Sequence, residues 1–269
     1  MQYGRAVAAR VLIVIPTLGR RMGFLDETMR SIADQSVLAD IVLVCPSGQG
    51  DLVDLAHRYG AQVLEDPGSQ SAAINKGVAA AQLHHEFVNW LGDDDLLTPT
   101  SLADTTRSLD SSPEAVVAYG ACDYIDESGS LLWTSNAGRW APRILGWGPD
   151  LIPQPGMLVR TWAWRAAGGL DESLRFAFDL DLLLALRKYG SLVSTHSTVS
   201  CFRWHPDSLT VSDRSASLKE SKEVKRRYLG KNSRRLAWTW ETPVDIATHM
   251  AARRVTRAAQ RAKASKMTG

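Results

Sequence analysis

Trp90-Leu91-Gly92-Asp93-Asp94-Asp95-Leu96-Leu97 is the stretch on which the reading of this chain turns. Directly upstream, Phe87-Val88-Asn89-Trp90-Leu91 is an apolar run that reads as a short buried strand, so the three acids sit at its carboxyl end. In an open α/β sheet, ligands bind in the crevice outside the carboxyl ends of the strands. Three adjacent carboxylates repel one another and persist most easily where a divalent cation or solvent neutralises them. Hard cations such as Mg²⁺ and Mn²⁺ take oxygen ligands, usually one or two carboxylates plus the phosphates of a substrate. The triplet therefore reads either as a metal-diphosphate site or as a solvated acidic turn before the helix starting near Pro99. These eight residues alone leave both open.

Working outward, strand and helix patterns alternate. Val11-Leu12-Ile13-Val14-Ile15 is a continuous apolar run, as in a strand covered on both faces, and it stops at Pro16. Phe24, Leu25, Met29 and Ile32 recur at helical spacing. A second strand over 41–44 ends in Cys45-Pro46-Ser47-Gly48, and then come a helix over 52–58, a short strand over 62–64 and a helix over 70–81. This order predicts a mostly parallel sheet of the nucleotide-binding type. Beyond residue 115 the pattern changes. Strands are expected over 116–120 and 131–133 around a turn at 126–129, and again over 198–204. Helices are expected over 161–167, 179–188 (with Leu182, Leu183 and Leu186 on one face) and 212–228. The Gly- and Pro-rich stretch 146–156 reads as a loop running past a site.

Composition narrows the class. At 269 residues the chain suffices for one large domain or a domain with an appendage. With 45% hydrophobic and 22% charged residues it can fill a core and is not expected to be disordered overall. A net charge of +2 gives no reason to expect nucleic acid as a partner. No apolar run approaches the ~20 residues of a membrane span, and residues 1–10 lack the apolar core of a signal peptide. Cys45, Cys122 and Cys201 are odd in number and far apart, as free thiols in a reducing cytoplasm would be. Between 253 and 266 stand Arg253, Arg254, Arg257, Arg261, Lys263 and Lys266 without an acid. That charge suits either a solvated terminal helix or a peripheral contact with the inner face of a membrane.

Two further groups carry chemistry. Asp179 and Asp181 flank one residue at the start of a helix, after Phe176 and Phe178. A carboxylate there is either a general base toward a hydroxyl or simply a helix cap and a first-turn acid. His205, in Phe202-Arg203-Trp204-His205-Pro206, is either a hydrogen-bonded structural group or an imidazole facing a metal.

Taken in order, these segments resemble family 2 glycosyltransferases with the GT-A fold. Val14-Ile15-Pro16-Thr17-Leu18-Gly19-Arg20 looks like that family's opening strand and Pro-Thr turn, and Gln70-Ser71-Ala72-Ala73-Ile74-Asn75-Lys76-Gly77 like its Ala-Ile-Asn-Lys-Gly helix. The acidic triplet looks like its metal-binding segment. Ile152-Pro153-Gln154-Pro155-Gly156, Gly168-Gly169-Leu170-Asp171-Glu172, Phe178-Asp179-Leu180-Asp181-Leu182 and Arg203-Trp204-His205 follow in the family's order. The resemblance runs over about residues 11–210 and rests on seven motifs, each weak alone and specific in sequence.

The resemblance implies an α/β GT-A domain over 1–211, a Rossmann-like mostly parallel sheet flanked by helices; residues 212–269 carry none of its motifs and read from their own residues as a basic helical extension. It implies an inverting, metal-dependent transfer from a nucleotide-diphosphate sugar to an acceptor hydroxyl, on a lipid-linked saccharide or a small molecule. Surface polysaccharide, glycolipid or natural-product glycoside synthesis would use such a step. Asp93, Asp95 and His205 would hold Mn²⁺ or Mg²⁺, with Asp94 close to the donor sugar or ribose. Pro16, Thr17, Asp66, Asn75 and Lys76 would contact the donor, and Asp179 would be the base. The chain departs from the family at Cys45-Pro46, where a pair of acids is usual, and at Ile74, where a basic residue is usual. The donor base is left open by these departures. Two other classes stand beside this one. A nucleotidyltransferase would need a Gly-rich basic loop after the first strand, faintly imitated by Leu18-Gly19-Arg20-Arg21-Met22-Gly23, and a catalytically silent module would bind a nucleotide-sugar only.

Overall fold

The structure, a computed structural model, describes residues 8–204, 214–230 and 239. Its first half winds β1 (Val11–Pro16), α1 (Met22–Ala33), β2 (Ala39–Cys45), α2 (Gly50–Arg58), β3 (Gln62–Glu65), α3 (Gln70–Ala79) and β4 (Phe87–Trp90). These four strands are parallel, in the order β3-β2-β1-β4. Because successive strand side chains point to opposite faces, β1 feeds two cores. Val11, Ile13 and Ile15 pack with Leu25, Met29, Leu52 and Leu55 of α1 and α2. Leu12 and Val14 pack with Ala73, Ile74 and Val78 of α3 on the other side. Gly77 lets α3 lie close on β1, since a Cβ there would collide with the Val14 side chain.

The second half comprises β5 (Leu96–Leu97), α4 (Ser101–Asp110), β6 (Ala115–Ile125), β7 (Leu131–Ser135), α5 (Ala141–Ile144), β8 (Leu158–Arg160), α6 (Thr161–Ala167), α7 (Phe178–Leu186), β9 (Ser191–Arg203) and α8 (Arg214–Tyr228). The sheet continues β4-β8-β6-β9-β5, with β7 on β6. It is parallel through β4 and mixed beyond, because β8 runs antiparallel between β4 and β6 while β6 and β9 pair in parallel. Both β6 and β9 outrun their expected lengths. Their apolar pattern is broken by Gly120 and by 194–198, where the pairing shifts register, so the strands bulge without ending.

Leu180, Leu182, Leu183, Leu184 and Leu186 of α7 are all buried, so this helix is enclosed and not one-sided as its spacing suggested. One of its covers is α8, whose Val224 is fully buried in the same core. The three cysteines are free thiols, Cys45 and Cys122 buried and Cys201 half-buried. Among the described residues, no helix is long and apolar enough to cross a membrane. The basic stretch 253–266 lies outside the described residues.

Candidate active site

The triplet leaves the carboxyl end of β4 in a turn whose Asp95 N–H donates to the Gly92 carbonyl at 3.3 Å. Glycine at 92 leaves room for these carboxylates, because a Cβ there would stand 2.8 Å from Asp95 Oδ2 and 3.2 Å from Asp94 Oδ1 and push them aside. The three acids then part. Asp93 accepts a short hydrogen bond from the Thr17 hydroxyl, which itself accepts the Gly19 N–H at 3.0 Å. Asp94 is paired with Arg21 at 3.1 Å. Asp95 is turned inward, 5% exposed, with Oδ1 accepting the Arg203 N–H at 3.1 Å and its own carbonyl accepting the Thr28 hydroxyl at 2.8 Å. Burial, reinforced by Asp94, raises the proton affinity of Asp93 above the usual carboxylate range despite the opposing Thr17 bond. The same causes act more strongly on Asp95, against the Arg203 N–H.

Arg203 locks this turn from the far end of β9. Its guanidinium is 1% exposed and pairs with Glu27 at 2.6 Å. It also donates to the carbonyls of Asp94 at 3.0 Å and Glu127 at 3.1 Å, and lies 4.2 Å over the Phe24 ring. Sequence singled out Arg203 only as a neighbour of His205. The signal was present, since a lone arginine in an apolar strand must find buried acceptors.

Of the residues expected to meet the donor, Pro16 and Thr17 stand at the end of β1 beside the triplet. Asp66 follows β3 and folds its carboxylate onto the Gly68 N–H at 2.9 Å. Lys76 donates to the Glu65 carbonyl. Asn75 is engaged elsewhere. Its Oδ1 accepts the Leu170 N–H and its Nδ2 donates to the Leu170 carbonyl and to Glu172, all at 2.9 Å. This side chain holds the Gly168-Gly169 turn, where Gly169 has φ +76° and no room for a Cβ beside Asn75.

Asp179 is the second residue of α7 and not its cap. That place belongs to Ala177, and Asp179 accepts the Leu180 N–H at 2.8 Å. Loss of hydration, then the neighbouring Asp150, raise Asp179 to about 7. Asp150 is itself raised to about 6 by loss of hydration, opposed by the Ile152 N–H and Lys225. Asp150 belongs to the loop 146–156, which is fastened to β4 by Gln154 Nε2 on the Trp90 carbonyl at 2.6 Å and Asn89 Nδ2 on the Pro155 carbonyl at 3.0 Å. The strand that delivers the triplet thus also anchors the loop that faces Asp179. Asp181 diverges toward α8, accepting the Tyr228 hydroxyl at 3.1 Å. His205 lies outside the described residues.

Among the described residues, one set of metal-type ligands converges within 4.8 Å: Asp40, His84 and His85. It sits at the amino ends of β2 and β4, the edge opposite the triplet. There His85 Nδ1 accepts the Gln82 N–H at 2.8 Å, so its proton resides on Nε2, 2.9 Å from Asp40. That ring offers no free lone pair toward the carboxylate, and the cluster is a hydrogen-bonded pair with a neighbour.

The model of the family described as glycosyl transferase family 2 matches residues 12–164, more than half of the chain. The chain belongs to glycosyl transferase family 2. This family 2 chain is 27% identical to the O-antigen biosynthesis protein RfbC of Myxococcus xanthus over 223 residues, 77% of the chain and 17% of RfbC. It is 24% identical to the uncharacterized glycosyltransferase RT0329 of Rickettsia typhi over 206 residues, 72% of the chain and 64% of that protein. The chain thus spans less than two thirds of either curated relative. In fold it is similar to residues 1–349 of S. aureus TarS, solved with UDP-GlcNAc, at a TM-score of 0.62, 16% identity and coverage of 81% of this chain and 65% of that one. It is likewise similar to the mannosyltransferase PcManGT of Pyrobaculum calidifontis, solved with GDP-Man and Mn²⁺, at a TM-score of 0.60, 14% identity and coverage of 96% and 80%. The architecture is that of GT-A glycosyltransferases.

Proposed function

We propose that this family 2 domain transfers a sugar from a nucleotide-diphosphate sugar to an acceptor hydroxyl in a single inverting displacement. One observation carries the reading. Two partly open carboxylates, Asp93 and Asp94, stand at the end of the strand β4, while a separate carboxyl on another element, Asp179, holds its proton affinity near neutrality. A donor across the strand ends would meet Thr17 and the triplet, and an acceptor hydroxyl would meet Asp179. A base with proton affinity near the working pH is the effective one.

The triplet suits a hard cation, offering carboxylate and hydroxyl oxygens whose mutual repulsion a divalent ion would relieve. The burial of Asp95 moves the metal assignment toward Asp93 and Asp94, with Asp95 and Arg203 holding the turn and His205 kept as a candidate. Bound there, Mn²⁺ or Mg²⁺ would neutralise charge on the departing diphosphate. Mn²⁺ with GDP-Man in one fold neighbour and UDP-GlcNAc in another support this donor class. The O-antigen biosynthesis relative, of which this chain spans 17%, supports an acceptor in glycan assembly; a lipid-linked or small acceptor at the cytoplasmic face is the form proposed here. Nucleotidyl transfer is disfavoured by the loop after β1. Gly19 is packed against Gln49 and Leu52, and Arg21 is engaged with Asp94, so these two residues are committed to the fold and the triplet.

A thermal-shift panel of UDP-, GDP- and TDP-sugars with and without Mn²⁺ identifies the donor, and product analysis then tests the reaction. Release of nucleoside diphosphate is expected. Release of pyrophosphate would overturn the assignment.

A further inference from the structure

The described tyrosines differ in what they do with their hydroxyls. Tyr59 donates to Asp26, Tyr119 to the Gly138 carbonyl, Tyr189 to the Ala166 carbonyl and Tyr228 to Asp181. Tyr124 has no such partner among the described residues, although its ring is half-buried. A tyrosine hydroxyl inside a protein ordinarily finds one. The ring itself is held. Tyr124 is paired with Phe202 of β9 and with Trp133 of β7, so three rings form a row across adjacent strands. Trp133 is stacked on Tyr124 at 4.2 Å and 15°, and Phe202 is tilted against it at 5.3 Å. These contacts use the ring and leave the hydroxyl to be used elsewhere.

The direction of the row follows from the residue beside it. Arg203 sends its side chain to Glu27 and Phe24 of α1. Successive strand side chains point to opposite faces. Phe202, and Tyr124 with it, therefore faces the other layer, where Ile152 of the 146–156 loop packs with Phe178 and Leu180 of α7. Charge places the phenol further. Besides Cys122 of its own strand, the groups that bear on it are Asp95 of the acidic turn and Asp150 of that loop. The hydroxyl thus lies between the turn at the end of β4 and the loop that faces Asp179. Burial, and after it these three groups, raise its proton affinity, so it stays protonated and can donate.

We infer that Tyr124 is a specificity-determining residue for the transferred sugar: its hydroxyl donates to a hydroxyl of the sugar ring lying between the acidic turn and Asp179. This rests on the donor reading given above. A donor with its diphosphate at the triplet and its anomeric carbon open to an acceptor at Asp179 must lay its sugar across the gap that Tyr124 borders. A site built to bond a substrate hydroxyl selects against the analogue lacking it, so Tyr124 would favour a donor sugar that carries a hydroxyl at the contacted position.

The test is isothermal titration calorimetry of the full chain with Mn²⁺, wild type against Tyr124→Phe, which removes the hydroxyl and keeps the stacked ring. The ligands are the nucleotide-sugar selected by the thermal-shift panel and the nucleoside diphosphate of the same base. In Tyr124→Phe the Kd for the nucleotide-sugar should rise about three- to tenfold, the effect of one neutral hydrogen bond, while that for the nucleoside diphosphate should change less than about twofold. Tm should stay within about 2 °C of wild type, because the hydroxyl has no bond in the fold to lose. Among monodeoxy analogues of the sugar, one should bind wild type and variant alike, since it lacks the group that Tyr124 meets. Equal weakening of both ligands would move the hydroxyl to the diphosphate and overturn the sugar contact. Unchanged affinity for both, or a fall in Tm beyond about 5 °C, would overturn it as well. Failure of wild type to bind either ligand would overturn the donor reading itself, and the sugar contact with it.

Discussion

Replacing Arg203 with Met should unfasten the acidic turn, and the cost can be worked from its contacts. Arg203→Met fills much of the same volume but donates nothing. The carbonyls of Asp94 and Glu127, bonded now at 3.0 and 3.1 Å, lose their donor. Each buried acceptor left without one costs about 1–3 kcal/mol. The stacking over Phe24, at 4.2 Å, adds about 1 kcal/mol. The Glu27 carboxylate is 49% exposed and rehydrates, so its lost ion pair adds little. These add to about 3–7 kcal/mol, and we take the lower part, about 3–5 kcal/mol, which is the range for removing one partner of a buried charge network. At about 2–4 °C per kcal/mol for a domain of this size, Tm should fall by roughly 10 °C in a circular-dichroism melt. Arg203→Lys should recover only part, because an ammonium cannot reproduce the planar fork. A variant melting within about 2 °C of wild type would refute the clamp, since so small a shift corresponds to under about 1 kcal/mol.

The acids of the triplet should separate by assay. Asp94→Ala should abolish the Mn²⁺-dependent thermal shift with donor, whereas Asp95→Asn, which keeps an acceptor for the Arg203 N–H, should retain it. Because burial raises the proton affinity of Asp95, the stability tied to its protonated form is present in acid and lost as pH rises. Metal-free Asp95→Asn should therefore lose less Tm than wild type on going from about pH 5 to about pH 8. Asp179→Asn should bind donor normally and lose transfer by ~10²–10⁴-fold. The wild-type rate should rise with pH through the Asp179 value of about 7 and level off above it, as a base must be ionised to act. Gly77→Ala drives a methyl into Val14 and should destabilise by about 1–3 kcal/mol in urea titration.

The β-α-β-α-β half was legible because its strands are buried on both faces and its helices carry clean periodicity. β5 and β8, of two and three residues, are too short for any period to register, and it is β8 that turns the sheet from parallel to mixed. At the site, sequence could nominate the triplet, Thr17 and Asp179 as candidates, since acids at a strand end or helix start are visible locally. It could not sort the triplet, because which acid turns inward depends on Arg203, more than a hundred residues later. Nor could it find Asp150, which is brought to Asp179 only by the docking of the 146–156 loop. Asn75, read from its motif as a donor contact, also has its amide bound to Leu170 and Glu172, partners nearly a hundred residues on that no local pattern announces.

The pairing of β5 with β9 bears on how the molecule comes to be assembled. Leu96 and Leu97, just past the acids, are matched with Cys201 and Ser200, and the clamp that fixes the turn is the last residue of β9. Contacts so distant along the chain are slow to close, because loop entropy is spent before they form. During synthesis the four parallel strands can therefore consolidate while the acids still hang unsecured. The emerging polypeptide should be unable to capture metal and nucleotide until residue 203 has cleared the ribosome. Donor affinity would then be a late marker of folding, appearing after most of the secondary structure in a stopped-flow refolding experiment.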